Sequence, residues 1–332
     1  MAAIEVITSS VQGVAALTLA NGLVSVTLIP ALGGKISSIR DLRTGRDWLW
    51  TSDQLPYRRL PYGASYVREA DTGGWDECFP TVAACVYPLE PWRGAALPDH
   101  GEIWPLDWTA SIEGDPAARI TVRTEARGTA LPYAFRRAIA LAADTATLRV
   151  DYQVESLADA AIGFIWSAHP LFAVEPGMRV LLPDDTRLHT WLVVPPNLIP
   201  DAGPHPWPLH ARFDGRDVDL SVVPDATAGI ACKLWSAPLA RGHATLQASD
   251  GAFHFAFDPA LVPQIGLWIN AGGWSGTGGE PSYNVALEPC IGAQDSLQEA
   301  VERHGQYALL PAHGLRTWWL EVTLEARENM RG

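Results

Sequence analysis

Apolar and polar residues alternate along much of the chain in runs of strand length. From Leu148 to Val154 every second residue is apolar, and the residues between them are polar or charged. A period of two places the apolar side chains on one face of a strand and the polar ones on the other. The segment 147–155 is therefore predicted to be a strand with one wet face. Further β-like runs occur at Ile36–Ile39, Arg119–Thr124, Tyr133–Leu141, Ile162–Trp166, Gly229–Leu234, Ala244–Ala248, Ala252–Phe257, Ile265–Ile269, Val285–Leu287 and Thr317–Leu324.

A two-residue turn signal joins two more runs near the N-terminus. Asn21 and Gly22 lie between Ala16–Leu19 and Leu23–Leu28. Both residue types tolerate the positive φ angles that two-residue hairpin turns require. This arrangement predicts a tight β-hairpin.

Helical signals are scarce. The clearest lies at 295–303, where Ser296 and Glu299 have capping-box spacing and Gly305 can end a helix. The 29 glycines and 26 prolines interrupt the rest of the chain, which favours antiparallel strands with long loops over alternating βαβ units. The predicted fold class is all-β, a large antiparallel β-sandwich with few short helices.

Composition narrows the classes of ligand. A hydrophobic fraction of 48% in 332 residues supports a packed core, and the length allows one large β domain or two medium ones. A formal charge of −13, without any dense cluster of Lys and Arg, argues against nucleic acid and against an anionic membrane. A neutral or small polar ligand is expected.

Cysteine spacing and the N-terminal segment indicate in which cellular compartment the protein is expected. The chain has no C-x-x-C pair and no zinc-ligand spacing, so reduced thiols are expected. The first residues show no basic region followed by an apolar stretch, and no segment approaches a membrane-spanning apolar run. A cytoplasmic protein is therefore expected. The four cysteines are Cys78, Cys85, Cys232 and Cys290.

Three short segments each place a proton-handling side chain beside a residue that shapes the backbone. Near neutral pH a histidine, with an ordinary pKa of roughly 6.5, can act as an acid. A glutamate, with an ordinary pKa of roughly 4.3, is ionised there and can act as a base. His100, His169 and Glu288 are therefore candidate catalytic residues for a reaction that moves protons at two places on one substrate. The segments are Pro98-Asp99-His100-Gly101-Glu102, Ser167-Ala168-His169-Pro170 and Ala286-Leu287-Glu288-Pro289.

Two of these residues stand at the ends of apolar strands. Glu288 follows an apolar segment and precedes Pro289, which stops the strand. His169 also follows an apolar segment, and Pro170 favours an extended backbone at the histidine. A lone histidine at a strand end is more often structural, whereas the Ala-His-Pro-Leu-Phe context favours a functional residue.

The segment around His100 has a second interpretation. His100 and Glu102 would share a face of an extended segment, and a His-x-Glu pair on one face can ligate a metal. A catalytic metal site needs a third ligand, and the sequence supplies no obvious one. We therefore expect no metal here, with Asp99 orienting the His100 ring and Gly101 allowing close backbone approach.

In the order His-Gly, His-Pro-hydrophobic-Phe and Leu-Glu-Pro, these segments resemble the aldose 1-epimerases, also called galactose mutarotase-like proteins. The landmarks span nearly the whole chain. The resemblance extends to the runs Ile29–Ile39, Thr44–Leu49, Gly73–Pro80 and Leu310–Gly314.

The resemblance implies a single domain, residues 1–332, of two large curved antiparallel sheets with an open sugar-binding cleft. It implies an isomerase of carbohydrate metabolism that interconverts the α and β anomers of an aldose. Glu288 would be the base, His169 the acid and His100 a second histidine that holds the ring or C1 oxygen. Ring opening and closure of this kind needs no metal or organic cofactor. The implied partner is a small sugar bound by a monomer or homodimer, without nucleic acid or membrane.

Five further residues are candidates for substrate binding. Trp75, Asp76 and Glu77 lie in a glycine-opened segment before His100, and Arg68 is the nearest arginine ahead of that segment. Trp268 lies on a later β-like run. Carboxylates often bind sugar hydroxyls, and an aromatic ring can support the C–H face of a sugar. The alternatives are a solvated turn for the two carboxylates and core packing for the tryptophans.

The specificity residues of the better-known galactose mutarotases are not matched. Those proteins carry an Asn-Arg pair upstream of the first histidine, where this chain has Gly73–Pro80. A later aspartate that grips sugar hydroxyls has no clear counterpart, and Trp268-Ile269-Asn270 lies in that stretch. The substrate is therefore expected to be an aldose or a modified aldose, whether neutral, phosphorylated or otherwise acidic. The alternative function is a non-catalytic carbohydrate-binding or sensing protein on the same fold, because function depends on the site rather than the fold.

Overall fold

Strands dominate the computed structural model of the chain, which describes residues 3–199 and 201–327. Within these residues two large antiparallel sheets, one of eleven strands and one of eight, pack around an apolar interior. The predicted all-β antiparallel sandwich is thus confirmed. Three two-stranded sheets accompany them.

The strands alternate with short turns and longer loops. In chain order they are β1 (Glu5–Val11), β2 (Val14–Ala20), β3 (Val24–Ile29), β4 (Lys35–Asp41), β5 (Trp75–Cys78), β6 (Cys85–Val86), β7 (Ala96–Leu97), β8 (Thr109–Asp115), β9 (Arg119–Arg127), β10 (Tyr133–Ala142), β11 (Thr147–Ser156), β12 (Ile162–Phe164), β13 (Trp166–Phe172), β14 (Arg179–Leu181), β15 (Arg187–Val194), β16 (His205–Pro206), β17 (His210–Phe213), β18 (Arg216–Asp219), β19 (Ile230–Ser236), β20 (His243–Gln247), β21 (Gly251–Phe257), β22 (Gln264–Ala271), β23 (Tyr283–Ile291), β24 (Ala308–Leu310) and β25 (Leu315–Ala326).

The two large sheets combine strands that are distant in the chain. The eleven-stranded sheet has the order β1-β2-β3-β4-β5-β13-β23-β22-β19-β15-β16. The eight-stranded sheet has the order β14-β20-β21-β25-β11-β10-β9-β8. Strands β5, β13, β23, β22 and β19 are therefore consecutive neighbours in the middle of the larger sheet, although they span residues 75 to 291 of the sequence.

Local sequence patterns account for several of these elements. The alternation in β11 buries Leu148, Val150, Tyr152 and Val154 and leaves the residues between them partly exposed, as predicted. The hairpin of β2 and β3 is also confirmed, with Ala20 opposite Ser25.

The turn differs in detail from the predicted two-residue turn. Three residues, 21 to 23, separate the two strands, and Asn21 does not take a positive φ. Gly22 takes a φ of 83°. The side-chain oxygen of Asn21 accepts hydrogen bonds from the backbone N–H groups of Leu23 and Val24, both at 3.0 Å. An asparagine that bonds its own turn in this way stabilises the reversal of the chain.

Helical structure is limited to short segments. Leu297–Glu299 forms one α-helical turn, α1, which continues as a π-helical turn at Ala300–His304. The Ser296 side chain accepts from the backbone N–H of Glu299, and Gly305 ends the segment with a φ of 63°. The predicted cap and stop are thus confirmed. A second π-helical turn lies at Tyr66–Ala70, and no helix in the described part of the chain is long and apolar enough to cross a membrane.

Aromatic rings fill the space between the two large sheets. Trp318 of β25 stacks on Tyr152 of β11, with ring centroids 5.5 Å apart and planes 8° apart. Trp166 of β13 approaches the same tryptophan from the opposite sheet, at 5.0 Å. Buried rings of this size contribute large apolar areas, so these contacts hold β13 against the smaller sheet.

A fully buried ion pair crosses the same interior. The guanidinium of Arg137, on β10, lies 3.0 Å from a carboxylate oxygen of Glu77, on β5. That carboxylate also accepts hydrogen bonds from the Tyr152 hydroxyl and the Trp166 indole, both at 2.9 Å. Arg137 donates in addition to the Gly34 carbonyl. Every bond in this network compensates part of the cost of removing two charges from water.

Removing the cation from this pair tests how much the fold depends on it. We expect Arg137→Met to lower the free energy of unfolding by roughly 3–5 kcal/mol, because Glu77 would remain buried without its partner. Urea unfolding measures the loss. The matched control is the double variant with Glu77→Gln, which leaves no buried charge and should recover most of the stability. A loss below roughly 1 kcal/mol in the single variant would contradict this account.

Candidate active site

The middle strands of the eleven-stranded sheet bring the predicted residues to one face. In the strand register His169 lies opposite Asp76, Glu288 opposite Gly266, and Lys233 opposite Trp268. Residues directly opposite one another share a face of a sheet, and successive residues of a strand alternate between faces. His169, Glu288 and Trp268 therefore meet on the face directed away from the smaller sheet.

His169 and Glu288 are neighbours on this face. The Nε2 atom of His169 lies 4.0 Å from the Oε1 atom of Glu288. Both side chains are buried, with 9% and 1% of their surface exposed. Neither Glu288 Oε1 nor His169 Nδ1 has a hydrogen-bond partner among the described residues. Two buried polar atoms without partners carry a free-energy cost, so they mark a place where a ligand is expected to bond.

The other oxygen of Glu288 is well supplied with donors. Lys233 Nζ lies 2.5 Å from Glu288 Oε2, and the Ser167 hydroxyl donates to the same oxygen at 3.3 Å. Gly266 opposite Glu288 has no side chain, and a Cβ there would lie 3.2 Å from Oε2. The sheet thus leaves room for this carboxylate and fixes one of its two oxygens.

His100 reaches the same place from a loop. Its backbone is left-handed, with a φ of 59°, and Gly101 follows with a φ of 77°. A Cβ at Gly101 would lie 2.3 Å from the Phe79 carbonyl oxygen, so only glycine fits this turn. The His100 ring lies edge-on to His169, with centroids 5.0 Å apart. The turn therefore brings the two histidines together.

A stacked tyrosine supports the His100 ring. Tyr66 lies parallel to it, with centroids 3.9 Å apart and planes 13° apart. The Tyr66 hydroxyl donates to Asp76 at 2.7 Å, and Lys35 forms an ion pair with the same carboxylate. Asp76 is therefore occupied by protein partners, and it acts on the site through Tyr66 and His100.

The two histidines have opposite electrostatic environments. Burial, the positive charge of His100 and that of Lys233 lower the pKa of His169 well below its ordinary value. Burial also opposes the charge of His100, but Asp99, whose Oδ2 lies 3.2 Å from His100 Nδ1, raises the pKa of His100 above its ordinary value. A proton shared by the pair therefore resides on His100, and His169 is neutral.

A cavity of about 240 Å³ opens above these residues. Pockets that hold drug-sized ligands are usually larger than roughly 300 Å³, so this one suits a smaller molecule. Trp268, which the sequence singles out, forms part of its apolar wall and packs edge-to-face on Trp274 at 5.5 Å. The residues that line it include His100, His169, Lys233, Glu288, Asp71, Asp99, Asp295, Trp191, Trp268 and Trp274.

Four of the five predicted substrate contacts do not line this cavity, and Asp76, which is bonded by Tyr66 and Lys35, is one of them. Trp75 and Glu77 are fully buried on the other face of β5, where Trp75 packs on Phe255 and Glu77 pairs with Arg137. Successive residues of a strand alternate between faces, so Trp75 and Glu77 of β5 lie on the face opposite to Asp76, and the prediction that all three line one cleft is wrong. Arg68 is exposed on a π-helical turn and does not line the cavity.

Glu102 also differs from its expected position. The turn at His100 and Gly101 replaces the extended segment that would place Glu102 on the face of His100. Glu102 is buried and accepts from the Ala130 backbone N–H at 2.7 Å and from the Tyr62 hydroxyl at 3.0 Å. Among the described residues no group of three or more His, Cys, Asp or Glu side chains is arranged to hold a metal ion.

Sequence reasoning missed several residues of this cavity. Lys233 had a recognisable signal, because it is the one charged residue in the strand Ile230–Ser236. Tyr66, Asp71 and Asp295 lie in loops or short turns, and only the tertiary structure brings them to the site.

Solved structures with the same fold share little sequence with this chain. A galactose mutarotase-like protein from Clostridium acetobutylicum aligns with a TM-score of 0.66 at 13% identity, over 98% of this chain and 99% of that chain. A galactose mutarotase-like protein from Lactobacillus casei aligns with a TM-score of 0.60 at 17% identity, over 93% and 99%. A protein from Klebsiella pneumoniae, named as a candidate aldose 1-epimerase, aligns with a TM-score of 0.67 at 14% identity, over 93% and 79%.

The chain is similar to known proteins in structure but not detectably in sequence. No protein-family model matches the chain, and no curated protein matches it in sequence. The structural alignments, in contrast, cover almost the whole chain. The chain has the galactose mutarotase-like fold.

Proposed function

We propose that the protein is an aldose 1-epimerase, which interconverts the α and β anomers of a sugar. The observation that carries the proposal is the pair of Glu288 Oε1 and His169 Nε2, 4.0 Å apart at the cavity wall. Mutarotation moves protons at the C1 hydroxyl and at the ring oxygen, and both oxygens are bonded to the same carbon. A base and an imidazole that are neighbours can therefore serve both oxygens of one bound sugar.

Glu288 is the base in this reaction. Its Oε1 takes the proton of the C1 hydroxyl, and the electron pair of that O–H bond forms the carbonyl as the bond from C1 to the ring oxygen breaks. Rotation about C1–C2 then presents the other face of the aldehyde. Closure returns the proton from Oε1 to the carbonyl oxygen, so the carboxylate is regenerated.

The two histidines supply the proton for the ring oxygen. Neutral His169, beside Glu288, gives its N–H proton to the ring oxygen, and His100, whose pKa Asp99 raises, replaces that proton on His169. After ring opening the histidine pair is one proton poorer, and closure returns that proton. The wall formed by Trp268 and Trp274 offers an apolar surface to the C–H groups of a pyranose.

The charges around the cavity support an uncharged sugar as the substrate. Four carboxyl groups line it, those of Asp71, Asp99, Asp295 and Glu288, against two positive groups, the Lys233 ammonium and the His100 imidazolium. None of the described residues that line the cavity is an arginine. A phosphate or carboxylate on the sugar would meet acidic side chains without a guanidinium to bind it.

Replacing the base or its neighbour tests the mechanism. We expect Glu288→Gln and His169→Ala each to lower turnover by roughly 10²- to 10⁴-fold, the usual contribution of one proton transfer. Magnetisation transfer by NMR between the α and β anomers measures the rate, and circular dichroism checks that the variants fold. Sugar binding by the unaltered protein without any acceleration of exchange would instead favour a carbohydrate-binding protein.

The substrate charge is tested with matched sugars. We expect kcat/KM for a neutral hexose to exceed that for its 6-phosphate and its uronic acid by roughly tenfold or more, because like charges in the cavity repel. Anomeric exchange of the three sugars is compared at one ionic strength. Equal or greater rates for the phosphorylated sugar would overturn this choice of substrate.

Removing the carboxylate beside His100 tests where the proton resides. In Asp99→Asn burial still disfavours the charged ring, so the pKa of His100 should fall. Activity is expected to fall as pH rises through the pKa of His100, so in the variant this fall should occur at lower pH. NMR titration of the His100 ring and the pH profile of exchange measure both effects. The control is Asp201→Asn, which removes the carboxylate partner of another histidine, His205, at the same distance of 3.2 Å. An unchanged His100 titration in Asp99→Asn would refute the assignment.

A further inference from the structure

The basic residues of this chain are distributed unevenly. Of the 24 lysines and arginines only Lys35 and Lys233 are lysines. Both are buried, at 4% and 7% exposure, and each forms an ion pair with a carboxylate on the cavity side of the large sheet. An ammonium group is strongly hydrated in water, so its burial requires compensation by a partner.

Lys233 bonds one oxygen of the proposed base. Its Nζ lies 2.5 Å from Glu288 Oε2 and 3.9 Å from Asp295 Oδ1. Ser167 donates to the same Oε2 atom, whereas Oε1 faces His169 without a partner among the described residues. The donors thus distinguish the two oxygens of a group that is chemically symmetric.

An arginine would not distinguish them in the same way. A guanidinium presents two parallel N–H groups and usually binds both oxygens of a carboxylate, whereas an ammonium is a compact point charge that can bind one. The buried guanidinium of Arg137 bonds Glu77 Oε1 with one nitrogen and the Gly34 carbonyl with another, so the fork of an arginine occupies two acceptors. A lysine at position 233 therefore supplies positive charge to Glu288 and leaves Oε1 open.

Several titratable groups surround Glu288. Burial opposes the charge of Lys233, but Asp295 and Glu288 raise the pKa of Lys233 above its ordinary value, so it is an ammonium at neutral pH. Burial raises the pKa of the thiols of Cys78 and Cys290, which are therefore uncharged. The titratable groups that face Glu288 are Lys233, Asp295, His169, Cys78 and Cys290.

We propose that Lys233 is the positioning residue of this site: its ammonium pairs with the Glu288 carboxylate and holds Oε2, so that Oε1 is the oxygen that takes the proton from the substrate. This inference rests on the proposed epimerase activity for its catalytic consequence. Its structural part, the control of Glu288 by Lys233, is independent of any substrate. The two parts can therefore be tested separately.

Two substitutions separate the charge of Lys233 from its geometry. Lys233→Met removes the charge with little change in length, so Glu288 should become protonated at higher pH. The acidic limb of the kcat/KM profile should then move up by roughly one pH unit or more. Lys233→Arg keeps the charge but offers a fork to both oxygens. The acidic limb should stay in place while kcat falls by roughly tenfold to a hundredfold.

Two results would contradict the proposal. An acidic limb that does not move in Lys233→Met would show that the ammonium does not control the charge of Glu288. Full turnover in Lys233→Arg would show that a free Oε1 is not required. Thermal unfolding of both variants gives their melting temperatures, and the kinetics of each are measured well below its own melting temperature.

An NMR experiment tests the structural part without activity. The carboxyl carbon signal of Glu288, assigned with Glu288→Gln, is followed against pH in the unaltered protein and in Lys233→Met. We expect its titration to move to higher pH in the variant. With ¹⁵N-labelled lysine the chain gives only two side-chain signals, and the Lys233 signal should change in Glu288→Gln while that of Lys35 should not.

The two experiments distinguish failure of the inference from failure of the proposed function. If Glu288 titrates identically with and without the Lys233 ammonium, the inference is wrong whatever the activity. If the titration moves but the unaltered protein accelerates no anomeric exchange, the proposed function is wrong and the control of Glu288 by Lys233 stands.

Discussion

Buried carboxylates of the central strands require positive partners, and this requirement determines much of the arrangement of the large sheet. Glu77 faces the interior of the sandwich and pairs with Arg137 of the opposite sheet. Asp76, the preceding residue, faces the other way and pairs with Lys35. A buried charge without a partner costs several kcal/mol, so each pairing constrains the strand that carries it. Strand β5 is thereby held on both faces.

The same pairings link the scaffold to the candidate site. Asp76 accepts from Tyr66, and Tyr66 stacks on His100. On the neighbouring strands Lys233 bonds Glu288, whose space is provided by Gly266. The packed sheet therefore fixes Glu288 and His169. His100 lies on a loop, and its position is fixed by the Tyr66 ring, whose hydroxyl bonds Asp76 of the sheet. Such fixed placement favours catalysis because the groups need little reorganisation during the reaction.

The sequence was informative where local chemistry decides the structure. The hairpin at Asn21 and Gly22, the cap at Ser296 and the alternation in β11 depend on residues close together in the chain. His169 and Glu288 were recognisable because each follows an apolar run and precedes a proline, and the resemblance pointed to the same pair. The predicted strand ends were wrong, because β13 continues through Pro170 to Phe172 and β23 continues through Pro289 to Ile291. Their mutual distance was beyond the sequence, because it depends on the register of strands more than 100 residues apart.

The positions that the sequence could not predict are those that depend on the direction in which a side chain points. Trp75, Asp76 and Glu77 look equivalent in the sequence, yet only Asp76 faces the cavity side of the sheet, because successive residues of a strand alternate. Glu102 was misplaced since the left-handed turn at His100 reverses its direction. In both cases the backbone geometry, rather than the residue type, decides where the side chain lies.

The unpartnered oxygen of Glu288 bears on the difference between a binding protein and an enzyme. A site that only binds sugar can use both carboxylate oxygens as acceptors, and nothing requires an ammonium at 2.5 Å from one of them. That ammonium weakens Oε2 as an acceptor for a ligand and leaves Oε1 buried without a partner among the described residues, a cost of roughly 1–3 kcal/mol. Local costs of this kind are typical of functional sites, where stability is exchanged for reactivity. A single available oxygen beside a neutral histidine directs one proton along one path, which suits proton transfer better than simple recognition of hydroxyl groups.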